Sequence, residues 1–389
     1  MKITHKFDSG SIDIIDIKDR ENIQLKLAQD NNADTKQWFH FKLETQKDKL
    51  HKIRFINAGE SSFSSAWRGY QVMASYDDKH WFRVKTSYDG NELVIVHTPE
   101  KTVISYAYFA PYSYQRHQDL IAEVKESKQG STTIIGKTND NNPIYLLIFD
   151  NGNSDKNSDK KKVWLIARQH PGETMAQWFI EGLIKRLISQ DEVAMKLLEN
   201  SVFYIVANMN PDGSIRGNHR TNSKGLNLNR QWQNPSKSDC PEVYYVQQEM
   251  IETGVDLFLD IHGDEEIPYS FIMSAGTSCK VNTQAKHFKD DYVVANANFQ
   301  TAVDYNTYFN KSSSCCGSSG CGAKVLSKAT DYVESTFDCL SMVLEMPFID
   351  NGVEREGANS NGKTLNSSVN NSVNLGFSVL EPILAFLKS

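Results

Sequence analysis

The N-terminal part of the chain alternates apolar and polar residues over short runs, a pattern with the period of a β-strand. The runs include WFHFKL, KIRFINA, YQVMASYDD, WFRVKTSYDG, LVIVHT and VISYAYFAPY. They are rich in aromatic and β-branched residues, recur roughly every ten residues and are separated by turn residues such as Asp-Gly. This pattern predicts an antiparallel β-sandwich domain, which we place at residues 1–125.

The remainder of the chain has longer apolar strands that alternate with helical patterns. The strand PIYLLIFD is followed by the polar loop NGNSDKNSDKKK and by a second strand, VWLIARQ, so we expect these two strands to form a hairpin. In the next segment, apolar residues at helical spacing predict a helix that faces the core; they are Met175, Phe179, Leu183 and Leu187. The alternation of strands and helices predicts an α/β/α domain with a mixed sheet over residues 126–389.

Composition and charge narrow the class of protein. The chain has 389 residues, of which 23% are charged and 39% hydrophobic, as in ordinary globular proteins. Its net charge of -6 and the lack of a Lys/Arg stripe argue against nucleic acid as a partner. The apolar runs are too short to cross a membrane, and the first residues lack the apolar segment of a signal peptide. We therefore expect a cytoplasmic protein without a membrane or nucleic-acid partner.

The six cysteines agree with a reducing compartment. Cys315, Cys316 and Cys321 lie close together in the Ser/Gly-rich segment SSSCCGSSGCGAK. We interpret them as free thiols, because no second cysteine pair or nearby histidine completes a tetrahedral site. A soft-metal site is the alternative.

The spacing His-x-x-Glu can bring two metal ligands together, and it occurs three times, at His97/Glu100, His170/Glu173 and His262/Glu265. The first copy follows a strand without a subsequent helix, and we interpret it as structural. The second lies where a buried strand meets a helix, and its Pro-Gly turn allows a tight reversal that directs both side chains to one point. With His262, His170 and Glu173 would form three ligands that leave one tetrahedral position open, as at a catalytic zinc.

Polar residues follow or end four predicted strands. These residues are His170, the segment NMNPDG, His262 and Glu345. Because ligands of open α/β sheets bind outside the carboxyl ends of parallel strands, the four places can share one site. An alternative metal set would combine Glu265 with His262 and His170, but HGDEE has the composition of a solvated acidic loop.

The segment between the proposed ligands carries groups suited to a carboxylate. GNHRTNSKGLNLNRQW includes Arg220, Asn229 and Arg230, and arginine presents a planar fork that matches a carboxylate with two hydrogen bonds. The alternative is an ordinary surface loop. Glu345 lies in the apolar strand MVLEMPF, where burying a carboxylate is costly unless it is paired or functional.

Together these motifs resemble those of a known family. HPGE, NMNPDG, GNHR, LNLNRQW, DIHGD and LEMPF occur in this order over residues 130–389 and are similar to the motifs of zinc metallocarboxypeptidases, in particular the cytosolic carboxypeptidase branch. YAYFAPYSYQRH is similar to the segment that ends the N-terminal β-sandwich of that branch. The resemblance therefore covers nearly the whole chain.

The resemblance implies a zinc-dependent peptidase that removes the C-terminal residue of a peptide or protein. One zinc ion per chain would be bound by His170, Glu173 and His262. The branch includes enzymes that trim glutamates from acidic protein tails, so glutamate is a candidate for the released residue. Lys324 and Lys328 are then candidate partners for its side chain.

Four further residues would act on the substrate by the same resemblance. Arg220 would polarise the scissile carbonyl, and Glu345 would be the general base. Asn229 and Arg230 would hold the terminal carboxylate. The alternative activity is that of a zinc-dependent deacylase of N-acyl amino acids. A non-catalytic binding protein would have lost the base, and Glu345 is present.

The chain departs from the pancreatic-type pattern of the family. Gly172 stands where those enzymes have an arginine that contributes to a subsite. Asn227 replaces the aspartate that hydrogen-bonds a zinc-binding histidine, and an amide, being a weaker acceptor, should weaken the metal site. The residue that caps the substrate cannot be assigned from the motifs; Tyr269, Tyr305 and Tyr332 are candidates.

Overall fold

The computed structural model describes residues 1–151, 159–276, 279–309, 326–350 and 367–388. Cys315, Cys316, Cys321 and Lys324 lie outside these residues, so the interpretations placed on them stay predictions. None of the described helices is both long and apolar enough to span a membrane.

Residues 1–110 form two five-stranded sheets. The strands are β1 Lys2–Thr4, β2 Asp13–Asp16, β3 Ile23–Lys26, β4 His40–Glu44, β5 His51–Phe55, β6 Val72–Ser75, β7 Trp81–Val84, β8 Thr86–Tyr88, β9 Leu93–His97 and β10 Val103–Ala107. One sheet has the order β1-β4-β10-β6-β7 and the other the order β2-β3-β5-β9-β8. Neighbouring strands are antiparallel, except that β3 and β5 are parallel.

Aromatic side chains hold the two sheets together. Phe41 on β4 and Phe55 on β5 belong to different sheets, and their ring centroids lie 6.3 Å apart. Phe39 lies 4.6 Å from Phe55, and all three side chains are buried. The predicted β-sandwich is therefore confirmed. His97 forms a 2.9 Å hydrogen bond with the hydroxyl of Tyr106 inside the sandwich, which agrees with a structural role.

A second group of elements follows the sandwich. Its strands are β11 Gly130–Lys137, β12 Pro143–Phe149, β13 Lys161–Ala167, β14 Ser201–Val206, β15 Leu257–Asp264, β16 Phe271–Ser274 and β17 Leu340–Pro347. Its helices are α1 Tyr114–Glu126, α2 Met175–Ser189, α3 Glu192–Asn200, α4 Pro211–Arg216, α5 Pro241–Thr253, α6 Cys279–Ala295, α7 Tyr305–Tyr308, α8 Ala329–Phe337, α9 Ser367–Ser378 and α10 Leu380–Lys388. Because α1 packs against β11 and α2, the boundary after residue 125 stays a prediction.

The seven strands form one mixed sheet with the order β11-β12-β14-β13-β15-β17-β16. The central strands β14, β13, β15 and β17 are parallel, whereas β11, β12 and β16 are antiparallel to their neighbours. The predicted mixed sheet is confirmed, but the predicted hairpin of β12 and β13 is wrong, because β14 lies between them. The apolar strand β13 is buried along its length and pairs on both edges with parallel strands.

Helices cover both faces of this sheet, and its side chains separate into two cores. On β13, Val163 and Leu165 pack toward α2, in a core that is continuous with that of the sandwich. Trp164 and Ile166 point to the opposite face and pack with residues of α5 and α8. The sandwich is therefore joined to the α2 side of the sheet by a shared apolar core.

Candidate active site

The carboxyl ends of the parallel strands meet at one edge of the sheet. β13 ends at Ala167, which is the register partner of Ile261 on β15, and the chain reaches His170 three residues later. His262 on β15 is in turn the register partner of Glu345 on β17. The sheet therefore brings together the strand ends that carry the predicted chemistry, although those residues are far apart in sequence.

His170, Glu173 and His262 form a buried cluster whose ligand atoms lie within 4.8 Å of one another. Glu173 Oε1 lies 2.6 Å from His170 Nδ1, and its Oε2 lies 2.7 Å from His262 Nδ1. Gly263 N also donates to Glu173 Oε2, at 3.1 Å. One carboxylate thus faces both imidazoles.

The outer nitrogens of the two histidines have their own partners. His170 Nε2 donates to Asn227 Oδ1 at 3.1 Å, and His262 Nε2 lies 3.0 Å from Asp260 Oδ2. With these Nε2 atoms as donors, the two Nδ1 lone pairs face the carboxylate of Glu173, an arrangement that a cation between them stabilises. Two imidazoles and one carboxylate are the ligands of a catalytic zinc, so these residues fit the ion that the family motifs imply.

Burial and neighbouring charges together shift the pKa values of the two histidines. Burial, assisted by the nearby guanidinium of Arg220, lowers the pKa of His170 to about 4, which keeps its imidazole neutral. Burial also lowers the pKa of His262, but the carboxylates of Asp260 and Glu173 outweigh it and raise that pKa on balance. A neutral imidazole is the form that binds a metal.

Asp260 belongs to a chain of hydrogen bonds that we did not predict. Gln169 Nε2 donates to Asp260 Oδ2 at 2.7 Å, and Trp232 Nε1 donates to Gln169 Oε1 at 2.8 Å. These bonds orient the carboxylate that in turn orients His262. The sequence carried a signal for it, because Asp260 is a polar residue in an apolar strand and lies two positions before His262, on the same face of the strand.

Glu345 has a carboxyl group with an unused oxygen. Its Oε2 is buried and has no hydrogen-bond partner among the described residues. Burial raises the pKa of Glu345 well above its usual range, against the opposing effect of protonated His262, and the carboxylate of Glu173 raises it further. A buried carboxyl group opposite His262 in the sheet, with one oxygen that no described residue binds, is suited to accept and return a proton once it is ionised.

The acidic loop after His262 is buried, so the expectation of a solvated loop was wrong. Asp264 and Glu265 are 4% and 5% exposed. Glu265 Oε1 accepts a 2.7 Å hydrogen bond from His219 Nε2, and Asp264 accepts from two backbone N–H groups of its own loop. Burial raises the pKa of Asp264 to about 7. Glu265 thus has a partner outside the metal-ligand cluster, which speaks against the alternative metal set.

Two arginines approach the cluster. The charge of Arg220 contributes to the low pKa of His170, and it also lowers the pKa of Arg230 after the larger effect of burial. Arg220 lies with its guanidinium 5.5 Å from the ring centroid of Phe63. Arg230 Nη1 donates to the carbonyl of Asn229 at 2.7 Å. Among the described residues neither guanidinium forms an ion pair, so the pair presents positive charge for an anion.

Asn229 links this segment to the start of α8. Its Oδ1 accepts a 2.9 Å hydrogen bond from the backbone of Ala329, and its Nδ2 lies 3.4 Å from His262 Nε2. Lys328, the other candidate partner of a substrate side chain in the described part, is exposed immediately before α8. The structure thus places Asn229 beside the cluster and Lys328 at the start of a nearby helix.

Gly172 lies against His219, which explains the first departure from the family pattern. Gly172 N donates to the carbonyl of His219 at 2.8 Å. A Cβ at position 172 would lie 2.4 Å from His219 Nδ1, far inside van der Waals contact. An arginine at position 172 is therefore incompatible with His219 in this place.

Of the three candidate capping tyrosines, Tyr305 contacts the acidic groups of the site. Its hydroxyl forms a hydrogen bond with Asp264, and burial together with Asp264 and Glu345 raises its pKa. Tyr332 instead lies with its ring 5.8 Å from that of Trp232 in the core under α8. Tyr269 is half-buried after β15. The capping role of any of them stays a prediction.

Comparison with known proteins agrees with this site. Residues 118–356 match the family model described as zinc carboxypeptidase, and residues 3–109 match that of the cytosolic carboxypeptidase N-terminal domain. The fold is that of a metallocarboxypeptidase. The chain belongs to the zinc carboxypeptidase family and is a peptidase hydrolase.

Solved structures cover the whole chain. A metallo-carboxypeptidase from Burkholderia cenocepacia is 39% identical with a TM-score of 0.90, covering 100% of this chain and 99% of its own. A metallo-carboxypeptidase from Pseudomonas aeruginosa, in complex with (2-guanidinoethylmercapto)succinic acid, is 38% identical with a TM-score of 0.89 and the same coverage. Both contain the sandwich as well as the α/β/α part.

Two curated relatives differ in length. An uncharacterised protein from Zymomonas mobilis is 37% identical over 352 residues, which cover 90% of this chain and 88% of that protein. Cytosolic carboxypeptidase 1 from Homo sapiens is 27% identical over 296 residues, which cover 64% of this chain but only 24% of the human protein. The activity of the much longer human enzyme therefore does not transfer to this chain directly.

Proposed function

We propose that the protein hydrolyses the last peptide bond of a peptide or protein, with one zinc ion held by His170, Glu173 and His262. The observation that carries this proposal is the convergence of two imidazole Nδ1 atoms on one carboxylate at the strand ends, with Glu345 opposite His262. When bound there, zinc would acidify a water molecule and polarise the scissile carbonyl.

Glu345 is proposed as the general base. Its carboxylate would take a proton from the attacking water as the oxygen of that water bonds to the carbonyl carbon. The resulting carboxylic acid would then give the proton to the leaving nitrogen as the C–N bond breaks. An Oε2 without a hydrogen-bond partner among the described residues suits a group that must accept and return a proton in each cycle.

Arg220 and Arg230 are proposed to bind the two anionic parts of the reacting substrate. Arg220, close enough to affect the pKa of His170, would stabilise the negative charge that develops on the carbonyl oxygen. Arg230, with Asn229 beside it, would hold the terminal carboxylate by charge-assisted hydrogen bonds. Requiring a free carboxylate would make the enzyme act only at C-termini.

We further propose C-terminal glutamate as the preferred residue. The support is the family resemblance, together with the unpaired positive charges of Arg220 and Arg230 and the exposed Lys328. The compound bound to the Pseudomonas aeruginosa relative is a succinic acid that also carries a guanidine group. Its carboxylates agree with the proposed clamp, whereas its guanidine makes a basic C-terminal residue the competing outcome.

A panel of N-blocked dipeptides with C-terminal glutamate, arginine or phenylalanine tests the proposal. The zinc-loaded protein should release the free C-terminal amino acid, fastest for glutamate, and should leave the amidated dipeptides intact. Faster release of arginine would overturn the glutamate preference alone. Cleavage of N-acyl amino acids but of no dipeptide would instead establish the deacylase.

We also propose a cytoplasmic location, because the N-terminal match is to cytosolic carboxypeptidases; cell fractionation checks it.

A further inference from the structure

The loop that carries Arg220 directs three successive backbone N–H groups at one carboxylate of the N-terminal sandwich. Asp30, in the loop after β3, accepts from His219 N at 2.6 Å through Oδ1. Its Oδ2 accepts from Arg220 N at 2.8 Å and from Thr221 N at 3.0 Å. The hydroxyl of Thr221 adds a fourth hydrogen bond to Oδ2, also at 3.0 Å.

Consecutive N–H groups that point to one place form an anion-binding concavity. Such concavities commonly bind a phosphate or another ligand, but here the anion comes from another part of the same chain, 189 residues away for the pair Asp30–His219. Asp30 is 5% exposed, and His219 and Thr221 are buried as well. Without Asp30, three N–H groups, two of them on buried residues, would have to find other partners, at a cost of about 1–3 kcal/mol for each buried donor that stays unsatisfied.

Neighbouring contacts show that the two loops fit each other closely. Asn31 Nδ2 donates to the carbonyl of Ser223 at 2.6 Å, and Asn218 Nδ2 donates to Asn31 Oδ1 at 2.6 Å. A Cβ at Gly225, whose φ is +81°, would lie 2.3 Å from the carbonyl oxygen of Asn32. The segment 218–225 is therefore seated on residues 30–32 along its length.

The sandwich also contacts the side chain of Arg220. Phe63, which lies just before the short helix Ser64–Trp67, has its ring centroid 5.5 Å from the guanidinium carbon of Arg220, within cation–π range. The same ring lies edge-on to His219, at 5.8 Å between centroids. The backbone of Arg220 and its guanidinium are thus both held by residues of the N-terminal sandwich.

We infer that Asp30 is a positioning residue for catalysis: by binding the N–H groups of residues 219–221, it fixes the backbone from which Arg220 reaches the substrate carbonyl. The inference rests on the proposed role of Arg220 and gives the N-terminal sandwich a part in the active site. Asp30 itself touches no reacting atom. A carboxylate is required at position 30, because an amide would direct an N–H₂ group at one or more of the four donors.

The substitution Asp30→Asn tests the inference, because it keeps the size of the side chain and removes part of its acceptor capacity. Displacement of a catalytic group by about 1 Å can cost on the order of 10²-fold in rate. We therefore expect kcat on the best dipeptide of the panel to fall about 10- to 100-fold, with KM and zinc content near wild type. Amide hydrogen exchange should accelerate in the peptide that covers residues 218–223.

A double-mutant cycle separates positioning from general loosening of the fold. If Asp30 acts through Arg220, Asp30→Asn should lower kcat little further in the Arg220→Ala background. Thr86→Val is the matched control, because Thr86 is also buried in the sandwich and its hydroxyl makes two hydrogen bonds to the backbone, with Val72 on β6 and Val84 on β7, outside the loop that carries Asp30. It should lower the melting temperature without lowering kcat.

Thr221→Val covers the case in which Asp30→Asn does not fold. It removes the hydroxyl bond to Asp30 and a long 3.5 Å bond from Asn218 Nδ2 but leaves the three backbone N–H groups in place, so a smaller fall in kcat is expected. Multiplicative losses in the double variant, unchanged exchange in residues 218–223, or an equal fall in kcat for Thr86→Val would overturn the inference. A wild-type rate for Arg220→Ala would refute the role of Arg220 and this inference with it. A wild-type protein inactive on every dipeptide would refute the proposed function, while hydrogen exchange would still decide whether Asp30 holds the loop.

Discussion

His262 and Glu345 lie side by side as register partners on the parallel strands β15 and β17. The imidazole of His262 faces Glu173 through Nδ1, at 2.7 Å. One buried oxygen of the Glu345 carboxyl group has no partner in the part of the chain that the structure describes. Backbone pairing in the sheet therefore fixes the separation of a proposed metal ligand and a proposed base. Because this separation is set by a ladder of hydrogen bonds rather than by a loop, it should change little on substrate binding.

Glu345→Gln should abolish most of the turnover. Glutamine keeps the shape of the side chain but cannot accept a proton, and positioned proton transfer contributes roughly 10²–10⁴-fold to rate. Zinc content and the melting temperature should stay at or above the wild-type values, since a neutral amide costs less to bury than a carboxylate. These are measured by dipeptide hydrolysis, metal analysis and calorimetry. Loss of zinc together with activity would show that Glu345 is a ligand, and near-normal turnover would assign the base to another group.

Purified protein should contain about one zinc ion per chain, as a single site with three protein ligands predicts. His170→Ala and His262→Ala should each lose most of it, because two ligands do not retain the ion. Glu265→Ala is the control: its carboxylate bonds His219 rather than facing the cluster, so zinc should remain. Metal analysis after dialysis checks all three variants. Full zinc retention in both histidine variants, or loss in Glu265→Ala, would contradict the ligand set.

Arg230→Ala should weaken substrate binding more than it slows the bound substrate. A hydrogen bond to a charged group contributes about 1.5–3 kcal/mol, which corresponds to roughly 10- to 150-fold in KM. Amidation of the substrate should damage hydrolysis by the wild-type enzyme to a similar degree, and the variant should discriminate little between the acid and the amide. Lys224→Ala, which removes an exposed cation of the same segment that has no proposed role in binding, is the control for simple loss of positive charge. Equal hydrolysis of acid and amide by the wild type would refute the exopeptidase.

The sequence was sufficient to predict the sandwich, the mixed sheet and the placement of the site residues at strand ends. Strand periodicity and local motifs carry that information, because His170 and Glu173 belong to one turn. The pairing of β12 with β14 was not predictable, because a loop between two strands does not show that they are neighbours in the sheet. The strand order depends instead on which strands can be paired on both edges in the folded core. The motifs also identify which residues belong to the site, but they do not report which contacts those residues make with one another.

Contacts between distant segments account for what was missed. Glu265 is buried with His219, 46 residues earlier in the chain, as its hydrogen-bond partner. The acidic composition of HGDEE had predicted a solvated loop, because composition does not report such a distant partner. Asp30 meets residues 219–221 across a separation of 189 to 191 residues, which no local pattern reports. Asp260 was the exception, because its place two residues before His262 could have identified it.

Gly172→Ala should destabilise the fold through its contact with His219. The added Cβ would lie 2.4 Å from His219 Nδ1, and overpacking of this kind typically costs about 1–3 kcal/mol. Combining it with His219→Ala should restore part of that loss, because the second change removes the atom in conflict. Thermal or denaturant unfolding of the two single variants and the double variant measures the coupling. Equal and independent losses in the double variant would show that the contact is not the cause.

Glu242 should make stability depend on pH. It is buried at the start of α5, and no described residue binds its Oε1. Burial, helped by the charge of Asp212, raises its pKa to about 8 from 4.5. Between these two values the folded state holds a proton that the unfolded state has lost, so stability should fall as pH rises from 4.5 to about 8. The contribution is at most about 1.4 kcal/mol for each pH unit within that window.

Glu242→Gln removes this dependence and isolates it from other titrating groups. The variant should have nearly the wild-type free energy of unfolding near pH 4.5 and a higher one at pH 8, with the difference growing steadily between them. Urea titrations of both proteins at four pH values measure it, with zinc held constant. Glu192→Gln serves as the control, because that glutamate is exposed on α3. A constant difference between variant and wild type across the window would mean that Glu242 is ionised in the folded protein.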